Sequence, residues 1–176
     1  MMKYLIILLF PLLIFAQTEY SEAPSFELES IEGETVVLDS LLKKGPVFMS
    51  FWALWCKQCI KELDAFLEYY NEFKERGLIG LAISEDGARF KARVKSFAKS
   101  HRWTYTTLYD PDGEVKDLFN VRAIPVSFII TQDKKIVFEH QGYKKGDELH
   151  LKDTLEVLLP PDTTKIDTSE EGGCEE

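Results

Sequence analysis

Apolar positions along this chain follow two distinct rhythms. Pro46 to Trp52 (Pro-Val-Phe-Met-Ser-Phe-Trp) and Leu78 to Ile83 are nearly continuous apolar runs. That is the pattern of central strands covered on both faces. Between them the period lengthens. From Cys56 to Arg76, the residues Ile60, Leu63, Phe66, Leu67, Tyr70 and Phe73 recur at intervals of three and four. This spacing predicts one apolar face of a helix, with Gly77 placed to end it. Upstream, Phe26 to Leu28 and Thr35 to Leu38 flank Glu32-Gly33 and read as a hairpin. Asp39 then caps a short helix ending near Gly45. Downstream, Asp86 is placed to cap a helix running to about Ser100, with Phe90, Val94, Phe97 and Ala98 inward. Tyr105 to Leu108 is strand-like, Asp110-Pro111-Asp112-Gly113 is a turn, and Glu114 to Phe119 is a short helix. Val126 to Ile130 and Ile136 to His140 form a second hairpin around Gln132-Asp133-Lys134. Asp147 caps a last helix to about Leu159. Strands alternating with helices predict an α/β fold, a mixed β-sheet flanked by helices on both faces.

The two ends depart from this pattern. Residues 1–16 hold Lys3 and then an apolar run from Tyr4 to Ala16, broken only by Pro11. The run is shorter than the ~20 residues that span a bilayer, and it fits a secretory signal peptide with Ala16 before the cut. Residues 17–22 form a polar leader, and 23–159 the folded domain. Residues 160–176 begin Pro-Pro and hold six acids and one Lys. Such a stretch buries too little apolar surface to order itself and is expected to be a disordered acidic tail.

Charge and cysteines narrow the chemistry. The 176 residues carry 21 basic and 30 acidic side chains, a net charge of −9. That argues against a nucleic-acid partner, which requires clustered Lys and Arg. Three cysteines are too few for a disulfide framework. Export would place them where a Cys pair can be oxidised.

Two of the three stand in Phe51-Trp52-Ala53-Leu54-Trp55-Cys56-Lys57-Gln58-Cys59. A buried strand runs into a short connection, and Cys56 falls at the start of the next helix. Unpaired N–H groups and the positive end of the helix dipole favour a thiolate there. The spacing puts Cys59 one turn inside, within reach of a disulfide. The pair reads as an exposed nucleophile of lowered pKa and a sheltered resolving thiol. Half of a zinc site is the competing reading. Cys174 in the tail and the scattered His101, His140 and His150 offer no matching second pair, so no metal site is expected.

The stretch resembles the thioredoxin superfamily, whose active site reads Trp-Cys-x-x-Cys after a Phe-Trp-Ala strand. A second landmark, Val121-Arg122-Ala123-Ile124-Pro125-Val126-Ser127-Phe128-Ile129-Ile130, is similar to the family's loop with a cis-proline facing the Cys pair. The resemblance makes Pro125 that cis residue and gives the Ile124 backbone to an extended substrate strand, a form of β-augmentation. Trp55 is expected beside the sulfurs. The signal segment, the N-terminal hairpin and the extra helix and strand over 86–108 resemble the TlpA/ResA-type branch of exported thiol-disulfide oxidoreductases. The likeness spans about residues 23–159.

What the resemblance implies is a thioredoxin-like domain with an N-terminal β-hairpin extension. It would reduce protein disulfides outside the cytoplasm through Cys56 and Cys59, with cytochrome c maturation as one implied service. Its partners would be protein dithiol or disulfide substrates and a membrane or exported electron-donor protein. No cofactor is implied beyond the redox-active cysteine pair. Glu62, three residues after Cys59, matches a Glu that assists proton transfer in this branch. The competing reading is a surface Glu, since Lys61 and Asp64 are solvent-face residues. Two departures stand out. Lys57 and Gln58 occupy the intervening positions, where the family favours a small or acidic residue and then Pro; that pair tunes redox potential. Ser50 stands where thioredoxin has a buried Asp.

Other functions on this fold make different demands. A thiol peroxidase would show Pro-x-x-x-Thr-x-x-Cys, which is absent around Cys56. A copper-handling module would show Cys-x-x-x-Cys and a His, and the spacing here is one short. A non-catalytic adaptor would not need an intact Cys pair. Cys174 reads as a spare tail thiol.

Overall fold

The structure is a computed structural model that describes residues 20–161. The expected signal peptide, the acidic stretch from residue 162 onward and Cys174 lie outside the described residues. Seven strands form one mixed sheet: β1 (Glu27–Ser30), β2 (Thr35–Val37), β3 (Val47–Trp52), β4 (Ile79–Ser84), β5 (Thr106–Tyr109), β6 (Val126–Ile130) and β7 (Ile136–Gln141), in the order β2-β1-β5-β4-β3-β6-β7. β3, β4 and β5 run parallel; β6 and β7 follow antiparallel on one side. The β1–β2 hairpin extends the opposite edge by pairing β1 antiparallel to β5.

All six residues of β3 are buried, as a continuous apolar run demands when both faces are covered. One face packs against α2 (Lys57–Glu75), α3 (Lys91–Ser100) and α5 (Asp147–Leu158). Phe48 and Trp52 point into that layer, beside Phe66, Tyr105 and Trp103. The other face packs against α1 (Leu38–Leu42) and α4 (Glu114–Leu118) through Met49, Phe51, Phe119 and Phe128.

α2 ends where the sequence places its stop. Gly77 takes φ +98°, and the N–H groups of Gly77 and Leu78 bond back to the carbonyls of Lys74 and Phe73, a Schellman arrangement that favours glycine.

Three expected aspartate caps behave differently. Asp39 lies within α1, which has no side-chain cap, and binds Lys134 Nζ at 3.0 Å. Asp147 lies inside α5, after Gly146 at φ +107°. Asp86 caps nothing. A single 3₁₀ turn (Ala88–Phe90) precedes α3, and the Asp86 carboxylate reaches back toward β3.

Candidate active site

β3 ends at Trp52, and three residues later the chain turns into α2. Cys56 is the N-cap of that helix, and its sulfur accepts the N–H of Cys59 at 3.2 Å. The sulfur therefore sits against the unpaired donors of the first turn. Cys56 and Cys59 are joined in a disulfide with Cα atoms 5.4 Å apart. Cys56 is 7% exposed and Cys59 fully buried. The sequence-based expectation of an exposed Cys56 thus narrows, in the disulfide form, to a small opening.

The loop before Cys56 is held from outside. Cys56 N–H bonds Ala53 O at 3.0 Å. Leu54 N–H and the Ser84 hydroxyl both donate to Asp86 Oδ2 at 2.9 Å. Asp86 is buried, so this carboxylate braces the loop that leads into the Cys56 end of the helix. Sequence reasoning missed it, because its partner Leu54 is 32 residues away and a helix cap satisfies the same local pattern.

A groove of about 730 Å³ opens beside the sulfurs. Trp55, Lys57 and Gln58 form one wall, and Ile124, Pro125 and Tyr143 face them. Trp55 is 68% exposed. The Ile124–Pro125 bond is cis, as the resemblance implied. Pro125 O accepts Gly142 N–H at 2.8 Å, whereas the backbone of Ile124 has no hydrogen-bond partner among the described residues.

Glu62 lies behind this wall. It is on the buried face of α2 with Cys59, Leu63 and Phe66, and only 1% exposed. Its Oε2 accepts the Ser50 hydroxyl at 2.9 Å. Ser50 pairs with Ser127 across β3 and β6, and Ser127 pairs with His140 across β6 and β7. Burial raises the Glu62 pKa to about 7, against the opposing pull of the Ser50 and Ser127 hydroxyls and with a further push from the Asp147 charge. Ser127 stands by the carboxylate without a hydrogen bond of ordinary geometry. Asp147 itself accepts Lys144 N–H at 2.7 Å and lies 3.1 Å from His140 Nε2. Among the described residues, no group of three or more His, Cys, Asp and Glu side chains is arranged to hold a metal.

The fold and this Cys-x-x-Cys site are thioredoxin-like, and comparisons with known proteins agree. The sequence profile of the AhpC/TSA family matches residues 20–139, and the chain belongs to that family. It is similar to the thiol-disulfide oxidoreductase ResA of Bacillus thuringiensis subsp. konkukian (strain 97-27), with 34% identity over 128 residues, 73% of this chain and 72% of that protein. ResA of Bacillus subtilis (strain 168) is 31% identical over 147 residues, 84% of this chain and 79% of that one. The solution structure of an uncharacterized thioredoxin-like protein from Porphyromonas gingivalis matches with TM-score 0.65 and 33% identity, covering 80% of this chain and 93% of that one.

Proposed function

We propose that this thiol-disulfide oxidoreductase reduces disulfides of exported proteins, with Cys56 as nucleophile, Cys59 as resolving thiol and Glu62 as the base that serves Cys59. The observation that carries the reading is the placement of the pair. Cys56 caps α2 at the groove, and Cys59 is sealed behind it on the same helix face as a buried carboxylate.

The reduced enzyme begins with the Cys56 thiolate. The N–H that faces its sulfur supplies a charge-assisted hydrogen bond to the anion. The thiolate attacks one sulfur of the substrate disulfide; that S–S bond breaks, and the departing thiolate takes up a proton. A mixed disulfide now joins Cys56 to the substrate. The Cys59 thiol gives its proton to Glu62, directly or through one water, and attacks Cys56 Sγ. The second substrate thiolate leaves, and the Cys56–Cys59 disulfide of the present structure forms. Two electrons have passed from the dithiol to the substrate. A dithiol protein, exported or membrane-bound, restores the reduced pair. With its pKa near 7, Glu62 is about half ionised at neutral pH and can take and return one proton per cycle.

The Ile124 backbone is free to pair with an extended substrate segment over Trp55 and Pro125. Lys57 and Gln58 set the redox poise from the first turn of α2. The N-terminal apolar segment supports export, and cytochrome c maturation is one pathway that such a reductase serves. The peroxidase alternative lacks support at this site: Met49 and Ala53 stand where its Pro and Thr would be.

The test is trapping. Cys59→Ser should stop turnover after the first attack and accumulate a mixed disulfide through Cys56. Equilibrium with glutathione then sets the direction: a potential near about −270 mV marks a reductase and one near −120 mV an oxidase. A Cys59→Ser protein that turns over disulfides at the wild-type rate, or peroxide consumption at catalytic rates, would contradict the assignment.

A further inference from the structure

Most of the mapped ion pairs lie away from the groove. Lys91, Lys95, Lys99, Lys116, Lys134 and Lys135 are each paired with a carboxylate. Four others, Lys57, Lys61, Lys144 and Lys145, are exposed and line the active-site groove or the adjoining hollow. None of these four lies within 4 Å of a carboxylate oxygen among the described residues.

The carboxylates in the same region are engaged by donors of the protein itself, Asp64 while still exposed to solvent. Asp64 accepts Trp103 Nε1–H at 2.7 Å and contacts His101. Asp147 accepts Lys144 N–H and meets His140. Glu148 accepts the Tyr143 hydroxyl and Gly146 N–H, each at 2.9 Å. Their lone pairs serve the protein's own donors, while the four ammonium groups are left to solvent. On a chain of net charge −9, the groove and the adjoining hollow set these four lysines against Asp64, Asp147 and Glu148, a local excess of one positive charge beside the apolar floor of Trp55, Ile124 and Pro125.

We propose that these lysines select disulfides held in acidic segments of protein substrates. The floor and the open Ile124 backbone accept any extended chain. The lysines add a sequence preference, because solvent-facing ammonium groups without a partner carboxylate can pair with acidic side chains of a substrate and speed its encounter. This inference rests on the oxidoreductase reading above and names its substrate class.

The test uses the full chain in its reduced form and two synthetic disulfide peptides, identical except for Asp and Glu or Lys around the disulfide. Their second-order reduction rates are compared at about 0.01 M and 1 M salt, where screening lengths are roughly 30 Å and 3 Å. The acidic peptide should react on the order of 10-fold faster at low salt, and the ratio should shrink to within about threefold at high salt. Lys144→Glu with Lys145→Glu should pull the low-salt ratio toward one. Equal rates at both salt concentrations would overturn the proposal. That result is also expected if the chain's own acidic residues 162–176 or a second copy filled the groove. Reduction of neither peptide would instead overturn the oxidoreductase reading, and this inference with it.

Discussion

Cys56 and Cys59 are one helical turn apart and live in different solvents. Cys56 looks onto an open groove with an exposed indole and unpaired lysines, where charge is solvated and screened. Cys59 lies on the closed side, with Glu62 and Ser50 in a layer closed to bulk solvent. In the proposed mechanism the first attack needs a thiolate and a docking surface, which the open side offers. The second needs a proton acceptor where bulk water is scarce, the part proposed for the internal carboxylate of Glu62. The closed side carries an energetic cost. Burying Glu62 raises its pKa to about 7 because the charged form loses hydration that one Ser50 hydrogen bond does not replace.

That cost gives the largest effect that can break the comparison. The folded state holds the Glu62 proton more tightly than the unfolded chain, whose carboxyl titrates near 4.5. Stability from this group is therefore full below about pH 4.5 and is lost as pH rises toward 7, by on the order of 3 kcal/mol. Glu62→Gln should flatten that part of the stability profile and raise the pH 8 denaturation midpoint. Urea melts of both proteins from pH 4 to 8 provide the check. Parallel profiles would mean that Glu62 is solvated and the two sides do not differ.

A smaller effect tests the brace between the sides. Asp86→Ala leaves Leu54 N–H and the Ser84 hydroxyl without their shared acceptor. Orphaning buried donors costs roughly 1–3 kcal/mol, so the melting temperature should fall by several degrees. Asp86→Asn keeps an acceptor oxygen and should recover part of the loss. Thermal melts of the three proteins would show it.

The smallest effect sharpens the boundary itself. Asp147 lines the groove and pushes the Glu62 pKa upward by charge. Asp147→Asn should lower the Glu62 midpoint by a few tenths of a pH unit, the scale of a partly screened charge. Carboxyl-carbon NMR titration of labelled Glu62 measures it, and an upward movement would refute the coupling.

How much of this was legible in the chain depends on range. β3 and β4 announced themselves because central strands carry apolar residues on both faces. α2 did so through its period and its terminal glycine, and the cis bond at Pro125 through a shared motif. Glu62 was ambiguous, since its place is decided by Ser50, twelve residues upstream on another element. Periodicity gave the apolar face as Ile60, Leu63 and Phe66, yet Cys59 and Glu62 are buried with Leu63 and Phe66 while Ile60 is only half-buried. Asp39, Asp86 and Asp147 all satisfy a local capping pattern, and each is used by a distant or neighbouring partner instead: Lys134, Leu54 and His140. Sequence rules find where an aspartate can cap a helix; the sheet's topology decides what else competes for its oxygens.

The pairing of Cys59 with Glu62 is the centre of the account, and resolution kinetics test it most directly. Stopped-flow measurement of the second attack, from pH 6 to 8, isolates the step in which Cys59 loses its proton. The wild-type rate should rise through about pH 7, with the Glu62 titration. Glu62→Gln should lose that inflection and resolve about 10–100-fold more slowly, the lower range for removal of a positioned base, so that mixed disulfide accumulates. Resolution within about twofold of wild type across that range would contradict the account and leave Glu62 a buried carboxylate without a part in the reaction.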